Sequence, residues 1–124
     1  MAVILSFRDL IVWQKAMTLA EGCYSLAATL PQREQFELGS QIRRAAASVP
    51  ANIAEGHNRR ERRAYANYVG IALGSLAELE SHVELAVRVG VVGISQAEPV
   101  LAQAAEVNRM LHGLAHALSS PTRA

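Results

Sequence analysis

Gly39-Ser40-Gln41-Ile42-Arg43-Arg44-Ala45-Ala46-Ala47-Ser48-Val49-Pro50-Ala51-Asn52-Ile53-Ala54-Glu55-Gly56 is the stretch that decides how this chain folds. With Leu38 before it, the apolar positions Ile42, Ala45, Ala46, Val49 and Ile53 recur at steps of three and four, so they share one face of a 3.6-residue helix. That face is expected to be buried. The reverse side carries Ser40, Ala47, Ala51 and Ala54 with Arg43 among them, a second surface of small residues that a lone surface helix would not need. Pro50 lacks an amide proton and crowds the turn before it, so a kink is expected at about residues 46–49.

Length and composition set the frame around this helix. A chain of 124 residues suits one domain, residues 1–124, with a core that needs no disulfide or metal staple. The residues are 51% hydrophobic but only 5% aromatic, so the core must be built from Leu, Val, Ile and Ala. Residues 43–63 hold six arginines against Glu55 and Glu61, while the rest of the chain is net acidic. Cys23 stands alone, which fits a reducing compartment and a small buried hydrophobe on the first helix. Met1 to Phe7 is too short for an export signal and lacks its basic start, and no window approaches the roughly 18 apolar residues of a membrane span. A cytoplasmic protein is expected.

Three more helices follow from the same periodicity. A first helix, about residues 8–30, is expected to start at the capping signature Ser6-Phe7-Arg8-Asp9 and to bury Leu10, Trp13, Met17, Ala20, Tyr24 and Ala27 before Pro31. The short connector Pro31 to Gln35 turns the second helix, about 35–55, back against the first. Gly56 fits a left-handed C-terminal cap, and Asn58 with Glu61 fits the next N-cap. A third helix, about 59–89, buries Tyr65, Val69, Ala72, Leu76, Leu79, Val83 and Ala86, with Gly90 and Gly93 making the turn after it. A fourth, about 96–118, follows a capping box at Ser95 and Glu98 with Pro99 in its first turn; it buries Val100, Ala104, Val107, Leu111, Leu114 and Leu118, and Pro121 closes it. The fold class is therefore all-α, an antiparallel up-down-up-down four-helix bundle. Behind the core seam of the third helix runs Gly70, Gly74, Ala77, Ser81 and Leu85, and an internal glycine costs about 1 kcal/mol relative to alanine. Four helices cannot cover two faces of both central helices. Ala47, Ala51, Ala54, Gly70, Gly74, Ala77 and Ser81 are accordingly the expected contacts of a homo-oligomer.

No catalytic pattern is legible. There is no nucleophile elbow, no phosphate-cradling glycine loop and no cysteine pair. His112 and His116 stand four apart but lack the glutamate and third ligand of a zinc motif, and Glu78, Glu80 and Glu84 lack the Glu-x-x-His pairs of a di-metal bundle. Neither a metal nor another cofactor is expected, and an enzyme is not. The arginines carry more information. Arg59, Arg60, Arg62 and Arg63 begin a helix whose dipole opposes them, so something other than the dipole favours the cluster. Two readings fit: an anion site for RNA or DNA phosphates, or a solvated run paired to Glu61 and other acidic residues. Arg43 and Arg44 extend the candidate set, although Glu37, Glu55 and the third helix's glutamates offer them structural partners. Without interleaved aromatics, binding is expected to follow the backbone rather than the bases.

Asp9-Leu10-Ile11-Val12-Trp13-Gln14-Lys15-Ala16, Gln41 through Gly56 and Ile71-Ala72-Leu73-Gly74-Ser75-Leu76-Ala77-Glu78-Leu79-Glu80 together resemble the four-helix-bundle proteins encoded within intervening sequences of bacterial 23S ribosomal RNA genes. The resemblance implies an up-down-up-down bundle assembled as a ring-like homopentamer. It also implies distant kinship to the accessory protein of diversity-generating retroelements, a pentameric nucleic-acid-binding partner of a reverse transcriptase. No activity follows from it. After Gly56 the family commonly has an aromatic or small residue, where this chain has His57 and its dense arginine run. An RNA- or DNA-binding oligomer is the function expected; a structural or adaptor pentamer that binds another protein is the alternative.

Overall fold

The computed structural model describes residues 3–119, and among them there are four α-helices and no strand. These are α1 (Ile11–Ala28), α2 (Leu38–Asn58), α3 (Arg62–Arg88) and α4 (Ile94–Ser119), with short 3-10 turns at Phe7–Asp9 and Gln32–Glu34. Pro121 lies outside the described residues. Each helix packs on its neighbours in sequence, α1 also meets α4, and α2 against α3 is the most extensive pairing.

The periodicity of α2, α3 and α4 places their cores. Ile42, Ala45, Ala46, Val49 and Ile53 are buried on α2; Val69, Ala72, Leu76, Leu79, Val83 and Ala86 on α3; Val100, Ala104, Val107 and Leu111 on α4. Leu114 and Leu118 pack half-buried at its edge. Each full-size aliphatic chain removed from water contributes about 1.5–3 kcal/mol, so these faces hold the helices together mainly by aliphatic contact, with Trp13 and Tyr65 partly buried against them. Pro50 is buried, and α2 continues through it.

On α1 the expected seam is displaced. Val12, Ala16, Leu19, Ala20, Cys23, Leu26 and Ala27 are buried, whereas Met17 is 37% and Tyr24 50% exposed and Trp13 is only partly covered. Two apolar stripes run side by side on this helix, and the stripe of small and branched residues fits close neighbours better than the one with bulky rings. Cys23 lies in the core, and burial pushes its thiol up to about 12, which leaves it protonated and unreactive at neutral pH.

The ends of the helices also differ from expectation. Ser6 caps a single 3-10 turn; Leu10 is extended and α1 begins at Ile11. The ring of Phe7 meets Trp13 edge-on at 5.2 Å. Asp9 Oδ2 accepts from the amides of Leu5 at 2.8 Å and Ser6 at 3.0 Å, and these donors hold its carboxyl below the usual aspartate range. A depressed folded-state value means the carboxylate supports this turn above the ordinary aspartate pKa of about 3.9, and the support is lost as pH falls through the lower folded value. An NMR titration is expected to show the Leu5 and Ser6 amides moving together with a midpoint below about 3.9. A midpoint at or above that value would refute the contact.

Gly56 is not a cap but a buried residue inside α2. The left-handed residue of the α2–α3 turn is Arg60, at φ 62°, and Glu61 precedes α3 without a side-chain cap, so Asn58 does not serve as one. Gly90 does take a left-handed conformation, at φ 80°; Val91 N–H donates to Ala86 O and Gly90 N–H to Val87 O, which closes α3 with a Schellman motif. At α4 it is Gln96, not Glu98, that caps: its Oε1 accepts from Gly93 N–H at 3.0 Å, and the helix starts at Ile94, leaving Pro99 beyond the first turn.

Candidate nucleic-acid interface

The six candidate arginines do not form one patch. Arg43 binds the α1–α2 connector, its guanidinium donating to Gln35 O at 2.7 Å and Gln35 Oε1 at 3.3 Å. Gln35 Nε2 in turn donates to Ala27 O and Leu30 O, satisfying carbonyls at the end of α1. Arg43 is thus structural, through Gln35 rather than through a glutamate. Arg44 is exposed beside Gln41, Ser48 and Glu78, and forms no hydrogen bond or ion pair among the described residues.

The run after Gly56 divides in two. Arg59 pairs with Glu55 at 3.4 Å, donates to Tyr68 Oη at 2.9 Å and lies over its ring at 5.2 Å. Arg62 reaches the far end of the chain, where its Nε donates to Leu118 O at 3.0 Å and its Nη2 to Ala117 O. These carbonyls at the C-terminal end of α4 gain a cation where the dipole is negative. Both side chains are occupied in holding the fold. Arg60 and Arg63 are exposed and form no hydrogen bond or ion pair among the described residues. Arg60 also keeps a left-handed backbone, which costs a non-glycine residue about 1–2 kcal/mol.

Beside Arg60 opens a cleft of about 570 Å³. Its lining includes the apolar Ile4, Leu5 and Leu118, the charged Arg60, Glu61 and Arg62, and His57, Asn58 and Tyr65. His57 meets Tyr65 edge-on at 5.9 Å, and its Nδ1 is shielded from solvent without a hydrogen-bond partner among the described residues. Partial burial pushes the Tyr65 hydroxyl pKa up, so it remains a neutral donor. Sequence reading missed this cleft because it is assembled from the N-terminal segment, the α2–α3 turn and the end of α4.

No three His, Cys, Asp or Glu side chains converge as a metal cage requires among the described residues. His112 and His116 are exposed, and burial followed by the Glu84 charge raises the Glu80 carboxyl pKa. The small residues stand apart from these groups. Ala47, Ala51, Gly70, Gly74, Ala77 and Ser81 are exposed and Ala54 is half-buried. A Cβ placed on Gly70 or Gly74 would meet nothing within 4 Å among the described residues, so no described helix packs closely on these two glycines. A shallow apolar groove of about 460 Å³ adjoins Ala47 and Pro50, walled by the Met17, Ala20 and Tyr24 stripe of α1. Among the described residues no helix is long and apolar enough to cross a membrane.

Taken together, these features define a four-helix, all-α protein with Arg60 and Arg63 unpaired among the described residues where α2 passes into α3, and bare small-residue faces on its central helices. The chain belongs to the 23S rRNA-intervening sequence protein family, whose model matches residues 8–113. It is also similar to the crystal structure of a protein of unknown function from the S23 ribosomal protein family of Bacteroides thetaiotaomicron VPI-5482, with a TM-score of 0.79 and 27% identity over 85% of this chain and 98% of that one. No curated protein matches the sequence.

Proposed function

We propose that the protein is a non-enzymatic, cytoplasmic, ring-like homopentamer of up-down-up-down bundles, whose basic turns bind the backbone of RNA or DNA. The carrying observation is that Arg60 and Arg63 stand exposed and unpaired among the described residues while Arg59 and Arg62 are occupied. Arg62 at the start of α3 bonded to Leu118 near the end of α4 supports the antiparallel order. Five chains would gather the unpaired pairs into one field, which concentrates polyanions at low salt.

Fluorescence anisotropy with labelled RNA and DNA duplexes tests the reading. Affinity is expected to fall at least about tenfold between 50 and 200 mM salt, since each neutralised phosphate contributes a slope of about −0.9 in log–log form. The double variant Arg60→Ala, Arg63→Ala is expected to lose about tenfold at low salt and to flatten that slope, with thermal stability unchanged. An affinity indifferent to both substitutions removes the backbone-binding reading. The apolar groove between Met17, Tyr24, Ala47 and Pro50 favours a second reading, an adaptor that holds another protein without nucleic acid. Co-purified material resistant to nuclease and dependent on Tyr24 would distinguish it.

A further inference from the structure

The α2–α3 turn does more than present cations to a backbone: it borders a cleft that apolar side chains also line. A site for phosphate alone needs only donors and positive charge. Here Leu5 is 84% and Ile4 46% exposed, and they face the same space as Arg60, Glu61, His57 and Tyr65. At about 570 Å³ the space lies within the roughly 300–1,000 Å³ typical of small-molecule sites. The geometry points to a seat for one nucleotide bearing its phosphate, supplied either as a free mononucleotide or as the 5′-terminal nucleotide of a strand. This rests on the reading that the basic turn binds nucleic acid, and it names the part of the polymer that the cleft takes.

The lining offers two kinds of contact, charged and apolar. A phosphate dianion belongs with Arg60, whose guanidinium makes no hydrogen bond or ion pair among the described residues. Glu61 repels that dianion and instead accepts from an exocyclic amine, so a base carrying one, adenine, cytosine or guanine, is preferred to uracil. The flat faces of the base cover the Leu5 and Ile4 side chains, which otherwise remain in water. His57 supplies a polar ring to the cleft lining.

Competition binding with the full chain at 150 mM salt tests the seat, using a 5′-phosphorylated adenine-first ten-nucleotide strand, the same strand with a 5′-hydroxyl, a duplex closed by loops at both ends, and 5′-AMP. The phosphorylated strand is expected to bind at least tenfold tighter than the hydroxyl strand. Competition by 5′-AMP would mean that a free nucleotide suffices; failure of 5′-AMP with the end preference retained would assign the seat to strand ends. Leu5→Ser changes no charge at an exposed residue, so it is expected to erase most of the end preference while leaving closed-duplex binding intact. Equal affinity for ends and closed duplex, both dependent on Arg60, overturns the seat but leaves backbone binding standing. Absence of binding to every probe at 50 mM salt overturns both.

Discussion

Replacing Gly56 by alanine is expected to lower stability by about 1–3 kcal/mol, the range for an overpacked core, and to reduce Tm by several degrees. A Cβ there would lie 2.8 Å from Tyr68 Cβ, 3.0 Å from Tyr65 Cδ1 and 3.3 Å from Tyr65 O. The first of these carbons is bonded directly to the α3 backbone. A rotamer change cannot move it; the two helices must separate, and α2 against α3 is the most extensive pairing in the bundle. Alanine gains about 1 kcal/mol over glycine in helix propensity, so the net loss measures how much the crossing resists spreading. The same shift displaces Tyr65 and His57 in the cleft wall, and nucleic-acid affinity is expected to fall with stability. Urea unfolding gives the decisive comparison: a variant as stable as the parent would mean that the crossing is not tight at Gly56.

What could be read from the sequence follows from how local each determinant is. The core faces of α2, α3 and α4 were legible because each helix carries one dominant aliphatic stripe, and the words around Asp9, Ile42 and Ile71 were enough to place the family. The face of α1 was not, because Trp13, Met17 and Tyr24 form a second stripe whose bulk suggested a core that Val12, Leu19, Cys23 and Leu26 actually supply. The arginine run was legible as a cluster but not as a division of labour. Arg62 finds its acceptors 55 and 56 residues away, and Arg59 is drawn off by Tyr68, a partner with no signature of its own. The hydrogen bond at 2.8 Å between Ser48 on α2 and buried Ser75 on α3, with Asn52 donating to Ser48, was equally hidden. Two serines on opposing helices become a pair only once the register between the helices is known.

Gly74→Leu is expected to do the reverse of Gly56→Ala: leave the bundle folded and take the assembly apart. A Cβ on Gly74 meets no atom within 4 Å among the described residues, and leaving glycine for leucine gains most of about 1 kcal/mol in helix propensity. Glycine at this position therefore weakens the lone chain without any compensating contact inside it. The compensation we propose is a second subunit whose helix approaches along Gly70, Gly74, Ala77 and Ser81, nearer than the usual 8–10 Å axis separation allows with large side chains. Leucine in that seam would hold the helices apart. Light scattering of the parent after nuclease treatment is expected to give about five times the 13.4 kDa chain mass, and the variant to shift towards one chain with an equal or higher Tm. Nucleic-acid binding is expected to weaken in step, because separated chains lose the effective concentration that linked sites share, a factor of about 10²–10⁴. A parent that is already one chain ends the assembly reading outright. A variant that keeps a fivefold mass places the subunit boundary elsewhere, and the bare groove beside Met17, Tyr24, Ala47 and Pro50 is then the face to substitute next.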